Sequence, residues 1–111
     1  RRKMNATEIF KNIGDTLEAR KEASPSSSYV ASLLHKGEDA ILKKVAEEAA
    51  EVLMASKDKD RLHLVREVAD LWFHSMVLLA HHGLRAEDVV MELKRREGIS
   101  GIDEKASRTQ G

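Results

Sequence analysis

Two groups of carboxylates carry the spacing that could do chemistry. Glu47-Glu48-Ala49-Ala50-Glu51 is followed, across the polar stretch Lys57-Asp58-Lys59-Asp60, by Glu67-Val68-Ala69-Asp70. On a helix of about 100° per residue, Ile41, Val45 and Val52 share one stripe, and Glu48 falls inside it, about 20° from Ile41. A carboxylate on an apolar face is costly unless it is paired or bound to metal. In the second segment Leu64, Val68, Leu71, Trp72 and Leu79 cover one side and Leu62, Ala69, Phe73 and Met76 another. The remaining stripe is polar: His63, Glu67, Asp70, His74 and His81, at three-and-four spacing. At a rise of about 1.5 Å per residue, Glu51 and Glu67 both lie roughly 10 Å from the intervening turn. Glu48 and Asp70 form the next level. Packed helices lie about 8–10 Å apart, so Glu48, Glu51, Glu67 and Asp70 converge between two antiparallel helices. Carboxylates that close repel one another, and a divalent cation relieves the repulsion. All-oxygen ligation suits magnesium, or manganese, better than zinc or copper. An E-x-x-E pair alone is ordinary on a solvated helix face. The joint pattern says more, because Glu48 interrupts an apolar stripe and the two levels match across the turn. A di-iron carboxylate bundle would instead want E-x-x-H motifs; His74 follows Asp70 by four, and the third helical segment has no histidine.

The elements that must position these residues are helical. Alanine and leucine dominate, and no alternating run supports a strand. Helices are expected over Thr7 to about Arg20, Tyr29 to Lys36, about Glu38 to Lys57, about Asp60 to His81, and about Ala86 to Glu97. Asn5 and Ser28 serve as N-caps, and Gly37 and His82-Gly83 as stops. The tail from Gly98 onward reads as irregular. Residues 1–5 and 104–111 are expected to be the loosest parts of a single domain spanning residues 1–111. Short connections make consecutive helices antiparallel neighbours. The expected fold is therefore an all-α antiparallel bundle of about five helices. The fourth helix offers more apolar surface than its short neighbours can cover, so a second copy is expected to complete the core as a homodimer.

Composition removes several function classes. Lys plus Arg number 19 and Asp plus Glu number 19, for a formal net charge of zero, which argues against a nucleic-acid binder. There is no cysteine, so thiolate nucleophiles, zinc–thiolate sites and iron–sulfur clusters are excluded. No apolar run approaches the roughly 18–20 residues of a membrane span, and no secretory signal is visible. The cytoplasm is the expected compartment.

Glu47-Glu48-x-x-Glu51 followed by Glu67-x-x-Asp70 resembles the signature of the all-α nucleoside triphosphate pyrophosphohydrolases. Within that superfamily the chain is most similar to the phosphoribosyl-ATP pyrophosphohydrolase family of histidine biosynthesis. Besides the acidic pair, two segments carry the likeness: Ser27-Ser28-Tyr29-Val30 through Lys36-Gly37 to Ile41-Leu42-Lys43-Lys44, and Arg95-Arg96-Glu97-Gly98-Ile99-Ser100-Gly101-Ile102 with Glu104 to Arg108. The resemblance implies magnesium-dependent hydrolysis of phosphoribosyl-ATP to phosphoribosyl-AMP and pyrophosphate, by a homodimer. It implies Glu48, Glu51, Glu67 and Asp70 as metal ligands, and Glu47 as the group that orients or deprotonates the attacking water. It implies Lys36, Lys43, Lys44, Arg95, Arg96 and Lys105 as cations for the substrate's phosphates; Lys44 shares the carboxylate face. Two departures stand out: Ala46 where relatives often have glycine, and Arg85 at the expected N-cap of the fifth helix, where serine or threonine is usual. The competing readings are a housekeeping pyrophosphohydrolase acting on other nucleoside triphosphates, and a non-enzymatic helical dimerisation module.

Overall fold

A computed structural model describes residues 3–110 of the chain. The described residues form six helices and no strand: α1 (Ala6–Lys21), α2 (Tyr29–Lys36), α3 (Glu38–Lys57), α4 (Arg61–His81), α5 (Ala86–Arg96) and α6 (Gly101–Gln110). The first five match the expected segments to within a residue or two at each end.

Local chemistry sets the boundaries. The Asn5 side chain accepts from the Glu8 amide and starts α1; the Ser28 side chain accepts from the Ala31 amide and starts α2. Gly37 separates α2 from α3 at φ 96°, a backbone state that a Cβ disfavours, so two helices meet across one residue. Lys59 takes the left-handed conformation at φ 61°. That conformation reverses the chain within the short turn between α3 and α4, and the Asp60 carboxylate then caps α4 through the His63 amide at 3.1 Å. The α3–α4 hairpin is the most extensive helix contact in the molecule.

The tail is a correction. Residues from Gly101 are helical rather than irregular. The Ser100 hydroxyl accepts from the Asp103 amide at 3.1 Å, Asp103 and Glu104 occupy the first turn, and Arg108 lies in the last. This is a cap with charges that complement the helix dipole, present in the sequence but masked by two nearby glycines. Residues 1, 2 and 111 of the ends expected to be loose lie outside the described residues.

Leu17, Leu33, Ile41, Met76, Val77, Ala80 and Ala86 form the core. They come from α1, α2, the start of α3, the end of α4 and the start of α5. The core therefore sits at one end of the hairpin, and fully burying Leu17, Ile41 or Val77 stabilises by roughly 1.5–3 kcal/mol each. Toward the turn the hairpin is barely covered: Leu53, Met54, Leu62 and Val65 are exposed, as is Trp72 at mid-helix. The apolar circumference of α4 is thus only partly buried within one chain.

Arg85 also behaves differently from a weakened cap. Its amide donates to the Asp88 carboxylate at 2.9 Å, and its guanidinium crosses to α1, where Nη2 donates to Asp15 Oδ1 at 2.8 Å and to the Lys11 carbonyl at 3.2 Å. Gly14 makes room for it, because a Cβ there would stand 2.7 Å from Arg85 Nη2. The residue that looks wrong for a cap is the tie between α5 and α1.

Candidate active site

The α3–α4 hairpin brings Glu48, Glu67 and Asp70 together, each offering a carboxylate oxygen within 4.8 Å of the others. Glu48 lies on the inward face of α3, as its place among Ile41, Val45 and Val52 requires, and its side chain is only 12% exposed. Glu67 is 16% exposed, and Asp70 opens toward solvent. The group is thus anchored on its buried side and accessible on the other. Glu51, one turn further along α3, is half-buried and stands outside this three-residue group. Glu47 is exposed at the rim.

Lys44 is the cation at this site. Its ammonium lies 3.5 Å from Glu48 Oε1 and 3.6 Å from Glu47 Oε2. The Tyr29 phenol, in the alkaline range where it and a lysine both titrate, and after it the carboxylates of Glu47 and Glu48 hold Lys44 above the ordinary lysine pKa, so it stays charged. His63 Nε2 approaches Glu67 Oε1 at 3.3 Å. Lys36 and Lys43 are exposed on α2 and α3. The arginines of α5 and α6 are engaged elsewhere. Arg95 donates to both Glu92 oxygens and to Glu104, Arg96 donates to Glu92, and Lys105 is exposed. Among the described residues no ion pair links Arg95, Arg96 or Lys105 to the carboxylate group.

Beside the carboxylates lies His74, expected from its place on the polar stripe to line an interface, to hydrogen-bond the carboxylates or to bind substrate, and found instead between a main-chain carbonyl and Tyr29. His74 is buried, and its Nδ1 meets the Asp70 main-chain carbonyl at 2.9 Å while Nε2 meets the Tyr29 hydroxyl at 2.7 Å. A carbonyl only accepts, so Nδ1 carries the proton. In the neutral ring Nε2 is then the acceptor, and Tyr29 donates to it. Phe73 and Tyr29 both pack edge-on to the imidazole. Burial, together with the charges of Glu48, Glu47 and Asp70 and against the pull of Lys44, pushes the Tyr29 phenol above its ordinary pKa, so it remains a donor at neutral pH. The available signal was the spacing of His74, four residues after Asp70 on the polar stripe. His81, at the end of that stripe, is exposed and stacks edge-on with His82 instead.

Hard oxygen donors that converge within 4.8 Å, two of them largely buried, fit a hard divalent cation. The sequence model of the family described as Phosphoribosyl-ATP pyrophosphohydrolase matches residues 10–97, which contain the whole site. The chain belongs to this family. A Phosphoribosyl-ATP pyrophosphatase of Chromobacterium violaceum is 84% identical over 101 residues, covering 91% of this chain and 94% of the relative. The protein of that name from Neisseria gonorrhoeae is 68% identical over 102 residues, covering 92% and 95%. That from Nitrosospira multiformis is 62% identical over 108 residues, covering 97% and 89%. Membership in the phosphoribosyl-ATP pyrophosphohydrolase family makes the chain an enzyme that hydrolyses a pyrophosphate bond. Among the described residues no helix is long and apolar enough to cross a membrane.

Proposed function

We propose that the Glu48–Glu67–Asp70 group is the metal centre at which this chain hydrolyses phosphoribosyl-ATP to phosphoribosyl-AMP and pyrophosphate, in histidine biosynthesis in the cytoplasm. The hydrolysis follows from the family; the convergence of three carboxylate oxygens within 4.8 Å on a half-buried helical hairpin carries the metal assignment. Glu48, Glu67 and Asp70 would hold magnesium, or manganese, with Glu51 as the nearest additional carboxylate on α3. When bound, the ion neutralises charge on the phosphate oxygens and lowers the pKa of a coordinated water.

The chain's own residues supply the rest. Glu47, exposed at the rim with a free carboxylate oxygen, is placed to orient or deprotonate the attacking water. Lys44 attracts a phosphate oxygen to the same face, and its present partners Glu47 and Glu48 keep it aimed there. Lys36 and Lys43 add positive charge nearby. Arg95 and Arg96 would reach a phosphate only after leaving Glu92 and Glu104, or across to another subunit, and Lys105 is exposed on α6. Phosphoryl transfer needs charge neutralisation and in-line placement more than covalent help, which suits a site without a nucleophile.

The same reading includes a homodimer. Phe10, Trp72, Met76, Leu79, Val90 and Leu93 border an apolar groove of about 340 Å³ between α1, α4 and α5. The bare faces of Leu53, Leu62 and Val65 adjoin the same hairpin.

Binding of manganese, followed by calorimetry, tests the metal assignment. The wild-type chain is expected to bind, and Glu48→Gln to bind about 10–100-fold more weakly with its helical circular dichroism unchanged. Equal affinity in the two proteins would move the metal elsewhere. A greater kcat/KM for dCTP than for phosphoribosyl-ATP would favour the housekeeping alternative.

A further inference from the structure

The Tyr29 hydroxyl is one of the few polar groups at the carboxylate site that the metal reading leaves without a task. Its hydrogen is committed: Tyr29 donates to His74 Nε2 at 2.7 Å, because the other ring nitrogen is held by the Asp70 carbonyl at 2.9 Å. His74 is buried and wedged between Phe73 and Tyr29, so this orientation is fixed by packing as well as by hydrogen bonds. The phenolic oxygen therefore has lone pairs to offer and no proton. Tyr29 as a residue is 53% exposed, so a ligand can approach it.

An acceptor-only oxygen is the wrong group for a phosphate, whose ionised oxygens also only accept. It is the right group for a neutral donor. With the scissile α–β linkage at the carboxylates, the nearest neutral donors on the substrate are the hydroxyls of the ribose that carries the α-phosphate, one methylene away. We propose that Tyr29 is a specificity-determining residue that accepts a hydrogen bond from the 2′- or 3′-hydroxyl of this ribose. The Asp70–His74–Tyr29 chain then ties sugar recognition to the same turn of α4 that carries a metal carboxylate. Lys44, on the facing helix, meets the phosphates, so the two ends of the nucleotide are read by a cation and by an acceptor.

This inference rests on the carboxylate group being the catalytic centre, and its test keeps the two separate. Kinetics would be measured for wild type and Tyr29→Phe on phosphoribosyl-ATP and on its 2′-deoxy and 3′-deoxy forms at the ATP ribose. Wild type is expected to lose about 3- to 10-fold in kcat/KM on one of the deoxy substrates, and Tyr29→Phe to lose a similar factor on the parent. The two losses should not add: Tyr29→Phe should treat that deoxy substrate and the parent alike. A purely structural role for Tyr29 would instead lower turnover of all three substrates by one factor and leave the wild-type preference intact, which would overturn the proposal. So would a wild-type enzyme indifferent to both deoxy substrates, a result that requires no variant to fold. Binding of phosphoribosyl-AMP by calorimetry supplies a readout besides turnover, with Tyr29→Phe expected to weaken it by the same factor. Manganese affinity should be unchanged in Tyr29→Phe. Full turnover by Glu48→Gln would instead remove the carboxylate reading itself.

Discussion

At the scale of single residues, the site is built from groups that are unfavourable alone. Glu48 occupies an apolar face, and Glu67 and Asp70 bring two more negative charges to within 4.8 Å of it. Among the described residues Lys44, at 3.5 Å, is the cation that offsets this directly on Glu48. Removing one charge should therefore relieve repulsion in the metal-free protein. Glu48→Gln is expected to raise the thermal midpoint without metal by an amount equivalent to about 1 kcal/mol, or about 4–8 °C for a domain of this size. Magnesium should raise the midpoint of wild type and leave that of the variant nearly unchanged. Glu48, Glu67 and Asp70 were legible in the sequence because helical geometry fixes angle and rise. Glu51 was expected among them but stands outside the group, although Glu67, which the rise along the helices puts at its level, lies inside it. The Tyr29–His74 pair was not legible, because it joins residues 45 apart through a helix packing that no local pattern encodes.

At the scale of elements, periodicity located five helices, since their apolar stripes and caps are local. The sixth was missed because Gly98 and Gly101 obscured the Ser100 cap. Its attachment depends on Glu104, whose buried Oε1 receives Arg95 at 2.6 Å. Neighbouring ion pairs also secure α5. Hydrogen bonds from Arg95 and Arg96 lower the Glu92 carboxyl from 4.5 to about 2, and those from Lys11 and Arg85 lower Asp15 from 3.8. Both folded values lie below the unfolded ones. Their stabilisation is thus complete above the unfolded pKa and is lost as pH falls through the folded one. Both carboxylates are exposed, so the effect is local and modest. Hydrogen exchange in α5, corrected for intrinsic rates, should be constant from pH 7 to about 5 and accelerate between about pH 4 and 2. Arg85→Ala should show accelerated exchange at pH 7 already.

At the scale of the whole molecule, the chain is more open than its length requires. Its radius of gyration is 16.3 Å, against about 13 Å for a compact domain of similar length. The core occupies one end, and the hairpin carries exposed leucine, valine and tryptophan beyond it. The apolar excess of α4 was visible in the sequence; which face stays bare was not, because that depends on how far α1, α2 and α5 reach along the hairpin. Sedimentation equilibrium at micromolar concentration should return twice the 12.4 kDa chain mass for wild type. Trp72→Glu, a change at a residue already exposed within one chain, should shift the population toward monomer while keeping the helices. The zero net charge also resolves at this scale into a local acidic site offset by cations distributed over the helices. This acidic site is proposed to act through a divalent cation. This role is tested most directly by pyrophosphate release from phosphoribosyl-ATP as magnesium is returned to chelator-treated protein. Release is expected at background level without metal, with saturable recovery on adding magnesium and no recovery in Asp70→Asn at the same concentrations. Undiminished release by the metal-free wild type, or full recovery in Asp70→Asn, would contradict it.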